Sequence, residues 1–262
     1  QRINFTLGRS LIKLDNKFWA EKNSGECAVN YKGRLITGTI KALYKNLIID
    51  VELDNGKIVQ ALNPEADFKN FVYAPGAAVW LTQSADKRRR VSYICQMVNR
   101  GEGMVFINYK YKNDLFREAF AKGILHEDFG KYDYIRPINP DDGELKRVNF
   151  ELGNDRGDKA FVYVVNIYNK QGTDVVFPSL INFFELEMFE ELRRQRKNGA
   201  ETFVCLVVPR EDCMDARFVW NQNPIAAAKI FDEVKNGLKF CCYCCNVNEK
   251  SVSISKRMRI LH

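Results

Sequence analysis

Long apolar runs and signal-like segments are absent from this chain of 262 residues. No apolar run approaches the roughly 18 residues that a membrane-spanning helix requires. Charged residues are spread through the first 30 positions, which leaves no room for the apolar core of a secretory signal. We therefore expect no membrane partner and a cytoplasmic location in which the cysteines stay reduced.

Motifs that bind nucleotide phosphates or support histidine chemistry are missing too. The sequence has no G-x-x-x-x-G-K-[ST], and Gly101-Glu102-Gly103 leads into a strand pattern where a phosphate loop would lead into a helix. The two histidines are His126 and His262, and His126 follows a predicted helix end. A lone histidine in that position is more often a surface or capping residue than a catalytic base.

Cysteine is plentiful but badly placed for a metal site. Four of the eight cysteines lie in CCYCC at 241–245. On a strand, Cys241, Tyr243 and Cys245 share one face, whereas Cys242 and Cys244 share the other. A tetrahedral zinc site needs four converging ligands, and no second C-x-x-C pair is present to complete one. Because cysteine is among the most often buried residue types, we interpret CCYCC as a core strand and not as a metal site.

Basic residues outnumber acidic ones by 40 to 33, which gives a formal net charge of +7. That surplus permits a nucleic-acid partner without requiring one. Three basic clusters stand out, at 87–90, 193–197 and 256–259. We expect the first to lie in a barrel loop beside nucleic acid, and the second to be the solvated C-terminal face of a helix.

Short apolar runs separated by turn residues fill the chain from about residue 35 to 108. LIIDVEL (47–53) and KIVQAL (57–62) flank Asp54-Asn55-Gly56, and Asn-Gly suits the positive-φ positions of a hairpin turn. Three further runs, AAVWLT, VSYICQMV and GMVFIN, complete the pattern of a small barrel. Residues 1–34 form an N-terminal extension that folds back on the barrel or docks a partner protein.

Helices alternate with strands from about residue 113 onward. NDLFREAFAKG (113–123) and FFELEMFEELRRQRKNG (183–199) are predicted helices that end at glycine, and NPIAAAKIFDEVKNG (223–237) has proline at its start. The predicted strands are 146–152, 159–167, 173–177, 202–208, 238–247 and 251–255. This pattern predicts an α/β (α+β) domain with a sheet of mixed direction.

Several stretches resemble the sugar fermentation stimulation protein (SfsA) family over about residues 35 to 262. They are GTIKALYKNLIIDVELDNGKIV, APGAAVWLTQSADKRRRVSY, NYKYKNDLFREAF, KRVNFEL, FVYVVNI, VVFPS and FCCYCCNV. The resemblance implies an N-terminal OB-like β-barrel at 35–108, followed at 109–262 by a restriction-endonuclease-like mixed-sheet domain of the PD-(D/E)XK type. It also implies DNA binding and nuclease action. In such nucleases an aspartate on one strand and a Glu-x-Lys on the next hold Mg²⁺ and activate water.

The sequence departs from the family pattern at the positions that hold the metal. The aspartate of R-[IF]-D-F falls on Asn149. The glutamate and lysine of E-V-K-N fall on Tyr163 and Val165, with Asn166 retained. The aspartate that follows Phe-Pro in the family falls on Ser179. Tyrosine and valine offer no ligand for a hard cation, so no metal is expected.

Acidic residues elsewhere bear on the same question. Glu151 lies two residues beyond Asn149 on the same strand face and is the candidate substitute ligand, although we prefer to interpret it as a structural glutamate on the surface. Asp174 begins the next predicted strand. The family's barrel loop C-P-N-T-G becomes Asn63-Pro64-Glu65-Ala66-Asp67, which adds acids that repel phosphate.

Three functions remain open at this point. The first is a catalytically inactive nuclease-like protein without a cofactor that binds nucleic acid through a basic barrel surface. Its candidate phosphate contacts are Lys41, Lys45, Lys87, Arg88, Arg89 and Arg90. The second is a protein-interaction or assembly subunit that has lost both activities. The third is a Mg²⁺-dependent nuclease that uses Glu151 as the substitute carboxylate.

Overall fold

A computed structural model describes residues 29–31, 34–44, 47–65, 74–84, 88, 90–99, 101–139, 145–178 and 186–262. Seven strands precede the first helix of this part of the chain. They are β1 (Val29–Asn30), β2 (Ile36–Tyr44), β3 (Ile48–Leu53), β4 (Ile58–Leu62), β5 (Ala78–Gln83), β6 (Tyr93–Asn99) and β7 (Met104–Phe106).

Strands β2 to β6 form the predicted barrel. The sheet order is β4-β3-β2-β5-β6-β7, and a parallel pairing between β4 and β6 closes it. The predicted hairpin joins β3 to β4, and Gly56 has the positive φ of 79° that the turn requires. Along β3 the side chains of Ile49, Val51 and Leu53 are buried while those between them are half-buried, which is the alternation expected of a barrel wall.

The rest of the described chain mixes helices with strands. The helices are α1 (Lys112–Ala121), α2 (His126–Phe129), α3 (Leu186–Lys197) and α4 (Pro224–Lys235), and a 3₁₀ turn (Tyr109–Tyr111) precedes α1. The strands are β8 (Tyr134–Pro137), β9 (Phe150–Gly153), β10 (Lys159–Asn166), β11 (Lys170–Gln171), β12 (Asp174–Phe177), β13 (Glu201–Val208), β14 (Asp215–Phe218), β15 (Lys239–Val247), β16 (Ser251–Arg257) and β17 (Ile260–Leu261).

Two sheets organise these strands. The larger has the order β1-β16-β15-β13-β10-β9-β8, and the smaller has the order β11-β12-β14-β17. Strands β10, β13 and β15 run parallel, whereas β9 pairs antiparallel with β10. The predicted mixed sheet is therefore confirmed. The segment 146–149, predicted as part of a strand, precedes β9, because the chain joins the ladder only from Phe150.

The predicted helices begin and end close to where their sequence signals lie. In α1 the residues Leu115, Phe116, Ala119 and Phe120 form the buried face. Helix α4 has Pro224 at its first position, and the Asn223 side chain accepts a hydrogen bond from the backbone N–H of Ala226 at 3.1 Å. Within the described residues, no helix is long and apolar enough to cross a membrane.

The central sheet is buried on both faces, and CCYCC is the core strand that the sequence predicts. Cys241, Tyr243 and Cys245 pack in the cluster that faces α1, whereas Cys242 and Cys244 pack in the cluster that faces α3. All five side chains are at most 2% exposed. The alternation follows from the two-residue period of a strand placed between two layers of helices.

The basic stretch at the end of α3 differs from its prediction as a solvated face. The guanidinium groups of Arg193 and Arg196 both pair with the carboxylate of Glu233, which is fully buried on α4. Lys229 adds a third positive charge at 3.3 Å. A buried carboxylate requires such partners, so these arginines join α3 to α4 instead of facing solvent.

The barrel and the second domain share core residues. Tyr168, which follows β10, is 1% exposed and packs in the barrel core. The backbone N–H of Phe106 donates to the carbonyl of Pro209 at 2.9 Å, and the indole N–H of Trp80 donates to Glu249 at 3.0 Å. Tyr31, just after β1, donates its hydroxyl hydrogen to the carbonyl of Asn248 at 2.8 Å. These contacts place the barrel against the end of β10.

Candidate functional site

Asn149 lies where β9 and β10 begin to separate. Its Oδ1 accepts a hydrogen bond from the backbone N–H of Val164 at 2.7 Å, and its own N–H donates to the carbonyl of Val162 at 3.0 Å. The side chain therefore extends the ladder between the two strands by one bond. An amide oxygen already bound to a backbone N–H is a poor ligand for a divalent cation, because it is neutral and one of its lone pairs is in use.

Tyr163 and Val165 occupy the face of β10 that the resemblance assigns to a glutamate and a lysine. Val165 is 5% exposed and packs in the apolar cluster that faces α3. Tyr163 is half-buried against the same cluster. Both side chains therefore extend the hydrophobic core across the floor of the site. Neither supplies a carboxylate or an amine.

Glu151 is buried, so its interpretation as a surface residue is wrong. The carboxylate is paired with the guanidinium of Arg136, its direct cross-strand neighbour on β8, and lies 3.9 Å from the Nζ atom of Lys159. Two cations therefore compensate the desolvated charge. With its charge already balanced, Glu151 contributes to the sheet edge instead of offering a free ligand.

Lys112 is a residue of this site that the sequence did not single out. It is the first residue of α1, and its Nζ atom lies 5.4 Å from the centroid of the Tyr163 ring, within cation–π range. The only sequence signal was the alternation YKYK just before the helix. That alternation does not indicate which strand the lysine approaches.

Asn166, the retained position of the motif, has a structural contact. It is 5% exposed, and its Nδ2 donates to the hydroxyl of Tyr168 at 3.0 Å. The hydroxyl of Tyr168 lies 3.5 Å from a carboxylate oxygen of Glu65 in the barrel loop. Burial raises the pKa of Tyr168, and the Glu65 charge raises it further, so this phenol stays protonated. The loop thus brings an acid, and not a base, to the end of β10.

The remaining acidic candidate, Asp174, is also paired. Its carboxylate accepts from the guanidinium of Arg217 on the neighbouring strand β14, and it is 4% exposed. Ser179 and the Ala66 and Asp67 positions of the barrel loop lie outside the described residues. Across the part of the chain that the structure describes, no group of three or more His, Cys, Asp or Glu side chains is arranged to hold a metal ion. The residues at the nuclease-like position therefore do not fit Mg²⁺.

The candidate phosphate contacts of the barrel lie in two places. Lys41, on β2, pairs with Glu52 on β3 at 2.5 Å, and both side chains remain partly exposed. Arg88 and Arg90 lie exposed in the connection between β5 and β6. Lys45, Lys87 and Arg89 fall outside the described residues. The structure thus separates Lys41, on the barrel wall, from the arginines at the barrel end.

The outer wall formed by β3 and β4 is acidic. Asp50 accepts hydrogen bonds from the hydroxyl of Tyr44 at 3.0 Å and from the Gln60 amide at 3.3 Å. The bond to Asp50 raises the pKa of the Tyr44 phenol, so the tyrosine remains a donor. Glu52 adds a second carboxylate on the same wall. Two carboxylates make this wall unfavourable for a phosphate backbone.

A groove lies at the barrel end that contains Arg88 and Arg90. Arg34, Leu35, Ile36 and Thr37 line it on the side of β2, Leu53, Asp54 and Asn55 line it on the side of β3, and Gln83 lines it at the end of β5. Arg34 is exposed. Sequence reasoning missed Arg34 because it precedes β2 and was placed with the N-terminal extension.

These features together define a class of protein, in which a closed five-stranded barrel packs on a mixed sheet of the restriction-endonuclease type. Comparison with known proteins identifies the family. The sugar fermentation stimulation protein RE domain matches residues 110–251, and the chain belongs to that SfsA family.

Relatives and a solved structure agree over most of the chain. The sugar fermentation stimulation protein homologue of Maricaulis maris is 28% identical over 86% of this chain and 96% of its own length. The homologue of Caulobacter vibrioides is 29% identical over 87% and 95%. The structure of Pyrococcus furiosus SfsA in complex with Ca²⁺ matches 90% of this chain and 99% of its own, with a TM-score of 0.72 at 14% identity. At that identity the likeness shows the fold.

Proposed function

We propose that the protein is a catalytically inactive, nuclease-like member of the SfsA family that binds nucleic acid through one end of its barrel. The observation that carries the first half is the occupation of the nuclease-like position by Asn149, Tyr163 and Val165. The amide of Asn149 completes a strand ladder, and the other two side chains pack with the core. The proposal includes no cofactor.

The loss of catalysis follows from coordination chemistry. A hard cation that activates water is held by carboxylates, and its affinity depends on their number and charge. The Pyrococcus relative was solved with Ca²⁺. In this chain the neighbouring acids Glu151 and Asp174 are buried and paired with arginines. Recruiting either one as a ligand breaks a buried ion pair, which costs about 3–5 kcal/mol.

The nucleic-acid half is supported by the arginines at the barrel end. Arg34, Arg88 and Arg90 are exposed, and they flank a groove whose other polar lining residues include Asn55 and Gln83. Arginine binds phosphate oxygens in a bidentate manner, and barrels of this kind hold single strands in grooves near such loops. Because the β3–β4 wall carries Asp50 and Glu52, we assign the binding surface to this end and not to the wall.

We place the protein in the cytoplasm. All seven cysteines within the described residues are free and buried, which suits a compartment that keeps thiols reduced. Burial raises the pKa of the Cys213 thiol to about 11, so this group is protonated and unreactive at neutral pH.

Fluorescence anisotropy tests the binding half. Labelled single-stranded and double-stranded DNA and RNA oligonucleotides are titrated with the protein over a salt series. We expect affinity to fall steeply with salt, and the Arg88→Ala/Arg90→Ala variant to reduce the log–log salt slope by about 2, about 1 for each phosphate contact. Lys41→Ala should have a smaller effect because that lysine is already paired with Glu52.

The matched control is Arg156→Ala/Lys250→Ala, which removes the same charge from exposed positions outside the barrel. It should leave the slope unchanged. Absence of binding at low salt, or an equal loss in the control variant, contradicts the proposal.

An assembly subunit is the second candidate, and an exposed apolar patch favours it. Trp220, Phe231 and Val234 are 50%, 47% and 46% exposed, and the Trp220 and Phe231 rings lie 5.5 Å apart. Clustered exposed aromatic side chains are typical of protein-binding surfaces. The expected result is a stoichiometric partner protein, without nucleic acid, that a Trp220→Ala/Phe231→Ala variant loses on affinity purification. Loss of that partner on deletion of residues 1–34 instead would assign the contact to the N-terminal extension.

A further inference from the structure

The cation at the nuclease-like position belongs to the protein itself. Lys112 brings its ammonium group to within 5.4 Å of the ring centroid of Tyr163, the side chain that replaces the metal-binding glutamate of the family motif. Helix α1 packs on β10 and β16, so the start of the helix is held beside the strand. A positive charge therefore lies next to the place where the motif would hold its metal.

The charges around this cleft sum to a positive value. Lys112, Arg136 and Lys159 contribute three positive charges, and Glu151 contributes one negative charge. Further out, Arg147 pairs with Glu187 on α3, and its backbone N–H donates to Glu191. A divalent cation entering the cleft would meet fixed positive charges without carboxylates to balance them. An oxyanion would meet a favourable field.

We infer that Lys112 replaces the divalent metal of the nuclease-like fold and makes the cleft at Tyr163 a metal-independent site for a phosphate oxygen of a nucleic-acid backbone. This inference rests on the proposed function, since it adds a second contact region to the arginines of the barrel end. A lysine ammonium binds phosphate as a point charge and needs no bound metal. The cleft thus keeps an electrostatic role while the reaction is lost.

The first experiment uses metal binding, which does not depend on nucleic acid. Asn149→Asp/Tyr163→Glu restores two carboxylates, and Mn²⁺ affinity is measured by calorimetry with and without Lys112→Met. We expect the restored chain to bind Mn²⁺ at least tenfold more tightly once Lys112 is removed, because its ammonium otherwise pairs with the new glutamate. Equal affinity in the two variants overturns the inference.

The second experiment uses the native sequence with a single change, so it does not depend on the folding of the restored variants. Oligonucleotide affinity is measured in EDTA and in Mg²⁺ for the native chain, for Lys112→Met and for Lys122→Met. Lys122 lies at the end of the same helix and pairs with Glu118 at 2.7 Å, which makes it a matched control. We expect EDTA to have no effect, and Lys112→Met alone to weaken binding roughly tenfold and reduce the salt slope by about 1.

The outcomes separate this inference from the proposed function. If Arg88→Ala/Arg90→Ala weakens binding and Lys112→Met does not, the inference is wrong and the proposed function stands. If the native chain binds no oligonucleotide, the proposed function fails and the phosphate assignment fails with it. In that case the Mn²⁺ titration still decides whether Lys112 has replaced the metal.

Discussion

The Oδ1 atom of Asn149 accepts a hydrogen bond from the backbone N–H of Val164 at 2.7 Å. This contact turns a position that carries a metal-binding aspartate in the family motif into part of the sheet. Asn149→Ala should therefore lower the free energy of unfolding by about 1–3 kcal/mol, because the N–H of Val164 loses its partner. Urea denaturation measures the change.

Asn149→Asp provides the matched variant, since a carboxylate accepts the same hydrogen bond. It should retain most of the stability that alanine loses. Lys146→Ala, an exposed neighbour, should be neutral. A stability of Asn149→Ala equal to that of the native protein contradicts the structural role of this amide.

Glu233 is predicted to be the most sensitive charged residue of the second domain. Its fully buried carboxylate pairs with Arg193 and Arg196 of α3, so removing it leaves two guanidinium groups without a counter-charge. Glu233→Ala should cost about 3–5 kcal/mol in chemical denaturation. Glu190→Ala, an exposed acid on α3, is the control and should change stability by less than about 0.5 kcal/mol. Equal effects of the two substitutions exclude the buried network as a stabilising element.

Acid should destabilise the protein through two carboxylates. Burial acts to raise the pKa of Glu201, but hydrogen bonds from Lys131, Lys239 and Tyr132 outweigh it and lower that pKa from 4.5. Burial likewise acts against the ionised form of Asp212, and Arg210 and Lys170 together lower its pKa from 3.8. A lowered folded-state pKa gives stability that is complete above the ordinary value and is lost as pH falls through the folded value.

The urea midpoint should therefore be nearly constant from neutral pH to about pH 5 and decline below about pH 4. The Glu201→Gln/Asp212→Asn variant should be less stable at neutral pH and should show a shallower decline in acid. A decline in that variant as steep as in the native protein shows that other groups cause the acid sensitivity.

The elements that the sequence predicted are those whose signals are local. Asp54-Asn55-Gly56 specifies a hairpin because the turn geometry depends on adjacent residues alone, and Gly56 adopts the required positive φ. The cysteine-rich strand was predictable because its composition and period demand burial on both faces. Helix α4 has both its proline and its capping asparagine where the sequence places them.

The features that the sequence did not predict depend on which distant elements meet. Arg193 and Arg196 look like the solvated end of a helix until α4 brings Glu233 against them. Glu151 looks like a surface residue until β8 places Arg136 opposite it. The approach of Lys112 to Tyr163 is likewise set by the packing of α1, which no single segment specifies. Such pairings are tertiary, and periodicity does not report them.

The central claim is that the chain keeps the nuclease-like fold without the reaction, and a cleavage assay tests it most directly. Labelled single-stranded and double-stranded DNA and RNA are incubated with the native protein in Mg²⁺ or Mn²⁺, beside Asn149→Ala and Glu151→Gln. We expect no cleavage above the buffer blank in any reaction. Metal-dependent cleavage by the native protein that is lost in both variants, while they remain folded, contradicts the account and assigns catalysis to this site.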